Sequence, residues 1–402
     1  MTTYRLTTNG MLRGYRANLQ KSYKTLGTAM ERVETGRNFL TYAEDPSSAT
    51  LAFKLRREYW QSSSQLRNNS EVASKFAQAY SSYDLVQNDL AEATNKTTWL
   101  RALNDPDASG RKALGQETLQ KAESLVESMN AKYAGRYLFA GADGANAPFT
   151  LEERPVMQAD GRYKVDENGK QVTSRQLCYR GIPVDQPAKI VQTYDSGGEV
   201  YQTGDDGKPV LDADGNPVPV MIDNPDYLKL QEMLKETTYV DLGLGMEEDK
   251  NGDPNAATVY NSALSGLEFL DFGYDEDGDP KNVVSLMLEG GERLMNTSDI
   301  DGSFEEGNPE YDRLFNLTGK LEAANGKMHV EFTELTTKAT FLTNNEERLT
   351  GEVDELAKQI EETEQINPAK AITELSWAQY CYNAGLKIGT QVLTQTLIDY
   401  MN

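Results

Sequence analysis

The sequence contains little cysteine, little histidine and an excess of acidic over basic residues. Two cysteines in 402 residues exclude a disulfide framework by count and argue against a thiolate metal site. The single histidine excludes the histidine pair that a zinc peptidase needs. Because the net charge is -23 and no basic face is visible, we expect no binding to nucleic acid.

Long apolar runs are also missing. No segment approaches the roughly 18 apolar residues that read as a membrane span, and the start MTTYRLTTNGMLRGYR lacks the apolar stretch of a cleavable signal peptide. We therefore expect no membrane association, and any export must use a route that does not read such a signal. A hydrophobic fraction of 38% is low, so cores should be thin or shared with neighbouring subunits.

Chemical sites are not evident in the sequence. The phosphate-binding pattern G-x-x-x-x-G-K-[ST] is absent, and His329 reads as a polar position on a long helix. The acidic turns that start at Asp212 and Asp275 imitate calcium loops, but each has proline where the loop needs glycine. We interpret them as solvated turns, with weak calcium binding as the alternative; a paired-carboxylate glycosidase stays open without a location. The prediction is no catalytic residue, no metal and no cofactor.

Apolar residues seven apart predict long helices at both ends of the chain. The N-terminal series predicts a helix of about 25 residues, a second long helix should end before Asn104, and a third should run from Ser109 to Tyr133. The longest series covers seven heptads and should end at Asn367-Pro368, after which a last helix follows. The N-terminal series is Leu12, Leu19, Leu26 and Val33; the longest is Leu314, Leu321, Met328, Leu335, Leu342, Leu349 and Leu356.

The middle of the chain has a different pattern. Between about residues 146 and 280, Asp-Gly and Asn-Gly turns separate short apolar alternations, which predicts hairpins, with a short helix near Tyr227 to Lys235. We predict a mainly α protein with an inserted β-rich domain. The predicted domains are 1–45 with 366–402, 46–145 with 281–365, and 146–280.

A joint between two helices is predicted near the N-terminus. Gly36 can close a helix in the left-handed conformation, and Asp45 followed by Pro46 can open the next one. This break and the one at Asn367-Pro368 lie at similar distances from the two ends. If the terminal helices pair, both are interrupted at the same level.

Several short motifs lie near the two ends of the chain. They are Arg5-Leu6-Thr7, Asn18-Leu19-Gln20-Lys21-Ser22, Gly36-Arg37-Asn38, Asp45-Pro46, Ala371-Ile372-Thr373-Glu374-Leu375 and Thr396-Leu397-Ile398-Asp399-Tyr400-Met401. A further motif runs from Gly135 to Gly141, with Pro148-Phe149 after it. With these motifs the chain resembles the bacterial flagellin superfamily over roughly residues 1–150 and 305–402. The motif from Gly135 is similar, within that superfamily, to the hook-filament junction proteins (FlgL-like hook-associated proteins).

The resemblance implies a structural, non-enzymatic protein of the extracellular flagellum, exported through the flagellar channel without a cleaved signal. It implies terminal helices in an inner coiled coil, surrounded by a helical bundle with variable domains outside. The implied partners are flagellin, the hook-side junction protein, further copies of the chain and an export chaperone on the C-terminal helix. A filament flagellin, or a rod that displays a glycan- or calcium-binding outer domain, are the alternatives.

Two sets of residues are candidates for function. The first is an assembly interface on the terminal helices: Leu12, Leu19, Leu26, Val33, Ile372, Leu386, Leu393, Leu397 and Tyr400. The second is a linker that lets inner and outer layers take separate angles: Gly36, Arg37, Asn38, Asp45 and Pro46.

Overall fold

The structure is a computed structural model that describes residues 8–39, 41–105, 107–193, 198–203, 208–212, 215–247, 250, 252, 254–255, 258–297 and 306–398. Its secondary structure is mainly helical, with short strands in the middle of the chain. The predicted fold class is confirmed. The helices are α1 (Thr8–Thr35), α2 (Pro46–Ala93), α3 (Lys96–Leu103), α4 (Ala108–Ser128), α5 (Pro225–Leu234), α6 (Gly266–Leu270), α7 (Val283–Met295), α8 (Pro309–Glu364) and α9 (Pro368–Ile398).

The strands are short and antiparallel. A three-stranded sheet has the order β4-β5-β6, and the other strands pair two by two as β1-β2, β3-β11, β7-β8 and β9-β10. The strands are β1 (Lys132–Tyr133), β2 (Arg136–Tyr137), β3 (Ala140–Gly141), β4 (Phe149–Pro155), β5 (Thr173–Tyr179), β6 (Ile182–Pro183), β7 (Lys189–Val191), β8 (Met221–Asp223), β9 (Tyr239–Val240), β10 (Tyr260–Asn261) and β11 (Leu264–Ser265).

The chain divides into two compact units. Unit 1 consists of Met1–Leu66 and Glu347–Asn402, and unit 2 consists of Arg67–Glu346. The three domains expected from the sequence divide the chain differently, because the predicted domain 46–145 with 281–365 includes parts of both units; that division stays a prediction.

In unit 1, α1 and α9 pack side by side in opposite directions. Tyr23 and Tyr382 place their ring centroids 5.7 Å apart, and Tyr15 lies against Gly389, where an added Cβ would be 2.0 Å from Tyr15 Oη. Glycine at this position therefore permits close contact between the helices. The pairing of the terminal helices, on which the sequence argument depended, is present.

In unit 2, large side chains form a continuous core. Tyr83 of α2 stacks on Phe332 of α8 with centroids 4.0 Å apart, and Phe332 also meets Phe269 at 4.4 Å. Trp99 and Phe139 are fully buried in the same cluster. Contacts between aromatic rings add roughly 0.5–1.5 kcal/mol per pair beyond area burial.

Helix α8 confirms the heptad prediction. All seven of its heptad residues from Leu314 to Leu356 are at most 8% exposed, and Leu317 and Phe332 at alternate positions are fully buried. Helix α8 ends at Glu364, and Asn367 caps α9 by accepting the amides of Ala369 at 3.0 Å and Lys370 at 3.2 Å. The predicted helix break at Asn367-Pro368 is therefore confirmed.

Two predicted helices are shorter than expected. The second ends at Ala93 instead of continuing to Leu103, because Asn95 starts the separate helix α3 and accepts the amide of Thr98 at 3.2 Å. The indole of Trp99 donates to the Ala93 carbonyl at 2.7 Å and so secures the break. The third helix ends at Ser128 instead of Tyr133, because the chain turns there into strand β1.

The predicted hairpins are present. Residues on either side of Gly161, Gly169, Gly215 and Gly278 form antiparallel bridges, and each of these glycines has a positive φ between 75° and 84°. Glycine is needed there because other residues adopt this backbone conformation only with strain. The predicted short helix is α5, which starts two residues earlier than expected.

Candidate functional site

The first side of the joint is a helix end at Gly36. Its φ is +70°, and its amide donates to the Arg32 carbonyl at 2.9 Å, which ends α1. An alanine at this position would have room for its Cβ but would take on the strain of a left-handed backbone.

The residues that follow Gly36 pair with the break near the other end of the chain. The Asn38 amide donates to the Glu364 carbonyl at 2.8 Å, and the Ile366 amide donates to the Gly36 carbonyl at 3.1 Å. Arg37 and Gln365 form an antiparallel bridge between these bonds, and the Asn38 side-chain amide donates to the Thr363 carbonyl at 3.3 Å. Both helices of the terminal pair are interrupted at the same level, as predicted.

The second side of the joint is the N-cap of α2. Asp45 accepts hydrogen bonds from the Ser48 amide at 3.1 Å, the Ser48 hydroxyl at 2.7 Å and the Ser47 hydroxyl at 2.8 Å. These bonds, those of Ser48 first, lower the pKa of Asp45 to about 2. Pro46 is the first residue of α2, where its missing amide costs nothing. The predicted capping geometry is confirmed, while the role of the segment as a linker stays a prediction.

The predicted interface residues divide into two groups in unit 1. Leu12, Leu19, Leu26 and Val33 are half-buried, with Leu19 facing Gly385 of α9. Ile372 and Leu386 point to solvent, with 56% and 41% of their surface exposed. Leu393 and Leu397 lie within α9, and Tyr400 lies outside the described residues.

Sequence analysis missed further exposed apolar residues on these helices. Trp377 and Tyr380 of α9 stack at 5.6 Å while staying 67% and 65% exposed, and Ile388, Met11 and Met30 are about half exposed. Large exposed side chains in such a group are typical of an interaction surface. The sequence could have indicated the residues of α9 in this group, because they form a second apolar face of that helix. The seven-residue spacing used to predict the interface does not include that face.

The Gly135-to-Phe149 motif serves the core of unit 2. Ala134 and Gly135 form the positive-φ turn between β1 and β2, and Phe139 and Phe149 are buried. The Phe139 carbonyl accepts the Tyr179 hydroxyl at 3.0 Å. These contacts explain the aromatic residues of the motif by packing.

In the acidic turn that starts at Asp275, three carboxylates share an ion pair with one lysine of the chain. Lys320 Nζ lies 2.6 Å from Asp275, 2.9 Å from Asp277 and 2.5 Å from Asp279. Across the described part of the chain, no group of three His, Cys, Asp or Glu residues could hold a metal ion. His329 is on the surface of α8, 3.2 Å from Tyr83 Oη and Gln87 Nε2. No described helix is long and apolar enough to cross a membrane.

Comparison with known protein families gives a match for the N-terminal part of the chain. Residues 6–143 match the bacterial flagellin N-terminal helical region. The match agrees with the resemblance to flagellins that the motifs in this part of the chain indicate. A search of curated proteins found no match.

Solved structures with some likeness come from flagellar proteins. A putative flagellar hook-associated protein from Vibrio parahaemolyticus is 14% identical, with 80% of this chain and 100% of that chain covered and a TM-score of 0.46. FlgL from Bacillus cereus is 13% identical, with 77% and 99% covered and a TM-score of 0.37. Flagellar hook-associated protein 3 from Legionella pneumophila is 15% identical, with 77% and 97% covered and a TM-score of 0.41.

Proposed function

We propose that the chain is a structural subunit of the bacterial flagellum, a hook-associated protein at the junction between hook and flagellin filament. The observation that carries the proposal is the flagellin-type region at residues 6–143, whose first helix pairs with the C-terminal helix. The motif from Gly135 to Phe149 favours a junction protein over a filament flagellin. The function is assembly, without an enzymatic step.

The terminal helix pair provides the surface for assembly. Its exposed residues Trp377, Tyr380 and Ile388 stabilise an assembly only when another surface covers them. Each large side chain that becomes buried contributes roughly 1.5–3 kcal/mol to the stability of the assembly. A repeating lattice multiplies that gain over every subunit contact. The proposed partners are flagellin, the hook-side junction protein and further copies of this chain, with an export chaperone on the C-terminal helix before secretion.

Location on the flagellum tests the proposal most directly. Antibody labelling of purified flagella should give one labelled zone at the filament base. Labelling along the whole filament would instead identify a flagellin. A strain that lacks the protein should make hooks without attached filaments and release flagellin into the medium.

A surface variant tests the assembly face. Replacing Trp377 and Tyr380 by Gln should leave the free protein folded, because exposed substitutions usually change stability by about 0.5 kcal/mol or less. Incorporation into flagella should be lost. The matched control is Gln61→Ala, an exposed change on α2. Normal incorporation of the double variant would show that this face of α9 is not a contact surface.

A second variant tests the joint. Gly36→Ala with Asp45-Pro46→Ala-Ala removes the signals that interrupt the helix; proline alone costs about 3 kcal/mol inside a helix, whereas a lost cap costs about 1 kcal/mol. We expect secretion with poor incorporation, measured as subunits in the medium and missing filaments. If the variant joined filament to hook as well as the parent, the linker role would be wrong, and Arg37 and Asn38 would be candidates for direct subunit contacts.

A further inference from the structure

Unit 2 contains a polar cleft of about 750 Å³ that the assembly function does not use. One wall is strand β5 with Thr173 and Gln176, and the other is the face of α7 that carries Ser285, Glu289 and Glu292. These three residues lie at positions i, i+4 and i+7, so they share one side of the helix. Hydroxyl, amide and carboxylate groups therefore line the same cleft.

The arginines of the cleft already have acidic partners. Arg313 makes a two-pronged ion pair with Glu289, Nε to Oε1 at 2.8 Å and Nη2 to Oε2 at 2.7 Å. Arg293 Nε lies 2.9 Å from Glu289 Oε1, and Arg175 pairs with Glu123 outside the cleft. The positive charges of these arginines are therefore already paired with carboxylates of the protein.

Two oxygen atoms at the inner end of the cleft lack a hydrogen-bond partner within the described ranges. Asp185 Oδ1 and Ser285 Oγ are both buried and make no hydrogen bond to any described residue, and Ser285 as a whole is 7% exposed. Burial raises the pKa of Asp185 to about 7, the nearby Ser285 hydroxyl opposes this rise, and the negative charge of Glu289 adds to it. Buried acceptors without partners cost free energy, so a group that donates to both would be stabilised here.

We propose that the inner end of this cleft binds the primary ammonium group of a small organic cation, with Asp185 Oδ1 and Ser285 Oγ as acceptors. An ammonium has three donors and no acceptor, which matches the two open acceptors and places a positive charge directly beside the Asp185 carboxylate. A polyol can hydrogen-bond but leaves the carboxylate charge uncompensated. A divalent metal is a poor match, because the described residues form no group of three ligands.

Calorimetric titration of the full-length protein at pH 8 tests the site, with 1,4-diaminobutane as the ligand and 1,4-butanediol as its uncharged analogue. We expect saturable binding of the diamine and none of the diol. Asp185→Asn should weaken binding by about tenfold or more, since hydrogen bonds to charged groups are worth roughly 1.5–3 kcal/mol. Ser285→Ala should weaken it by about twofold to fivefold. Glu322→Gln, an exposed acid on α8, should bind like the parent.

Four outcomes would overturn the proposal. The first is no saturable heat with the diamine, and the second is equal binding of diamine and diol. The third is unchanged affinity in Asp185→Asn when circular dichroism shows that the variant is folded. Self-association of the parent that Asp185→Asn abolishes would also overturn the assignment to a free amine, because it would place a lysine of another copy in the cleft.

Discussion

The terminal helix pair of unit 1 and the core of unit 2 differ in the size of the side chains that they bury. In unit 2 the largest fully buried residues include Trp99, Tyr83, Phe139 and Phe332. Along the described parts of α1 and α9 in unit 1, the buried residues are small: Ala29, Ala371, Ala378 and Gly389. Since the gain from burial scales with apolar area, at about 25 cal/mol per Å², unit 2 holds most of the stabilising contacts.

Along the described parts of the terminal helices, the large apolar residues are exposed or half-buried, whereas many of those in unit 2 are fully buried. A pair of helices with so little burial gains little against the entropy of ordering its chain. We therefore expect the free protein to be a monomer in which unit 2 is firmly folded and the terminal helices open easily. The following predictions test this contrast, from the largest effect to the smallest.

Phe332→Ala should destabilise unit 2 by about 3–5 kcal/mol, because it leaves a cavity beside the rings of Tyr83, Phe139 and Phe269. Scanning calorimetry should show the loss as a lower melting temperature. The control is Val330→Ala, two residues earlier on the same helix at a position that is 55% exposed. Similar melting temperatures for both variants would contradict the central role of this cluster.

Asp185→Asn should stabilise the protein at pH 8 by on the order of 4 kcal/mol and have little effect at pH 4. Because the pKa of Asp185 is raised to about 7 in the folded state, the folded protein holds this proton more tightly than the unfolded chain. Stability is therefore lost as pH rises from about 4 to about 7. Urea unfolding at pH 4, 6 and 8 measures the difference; parallel pH curves for parent and variant would refute the prediction.

Leu19→Ala should lower the stability of the free protein by about 1 kcal/mol or less, since Leu19 is only half-buried against Gly385. The melting of unit 2 should not change. Amide exchange on the free parent protein checks the premise: residues 10–34 should exchange quickly before assembly. Strong protection of these residues would show that the helix pair is stable without partners.

The smallest effect concerns the N-cap of α2. Since the pKa of Asp45 is lowered to about 2, its contribution to capping is fully present above its ordinary pKa near 3.9 and is lost as pH falls through about 2. An NMR titration of the Ser48 amide should show a midpoint near pH 2. In Asp45→Asn the amide should not titrate, because asparagine caps as well as aspartate but carries no charge. A midpoint near pH 4 in the parent would mean that the cap does not form in solution.

Repeating local patterns made the helices and turns predictable from sequence. The heptads of α8 show the period of a helix, and the Asp-Gly turns show a backbone conformation. Both are determined by a few neighbouring residues. The break at Thr94 and Asn95 was missed because the apolar spacing continues across it, while its cause is the indole of Trp99 bonding back to Ala93. An asparagine that can cap a helix was the available signal.

Tertiary sites were less predictable. Asp185 follows the short strand β6, and Ser285 lies in the first turn of α7, with no shared pattern to connect them. Their burial and lack of partners arise only when the chain is folded. The joint is an intermediate case. Its capping residues could be identified from the sequence, and so could the fact that both helices break at the same level. The backbone hydrogen bond between Asn38 and Glu364 could not be predicted.

The pairing across the joint also constrains the order of folding. The side chain of Asn38 bonds to a residue 325 positions later, with all of unit 2 between them in sequence. Closing so long a loop in an unfolded chain carries an entropy cost of about 5 kcal/mol from the logarithmic term alone. Once Arg67–Glu346 has folded, the chain to be closed is effectively much shorter. Unit 2 should therefore fold first and unit 1 last, so a subunit cannot complete its terminal pairing before its entire chain is available.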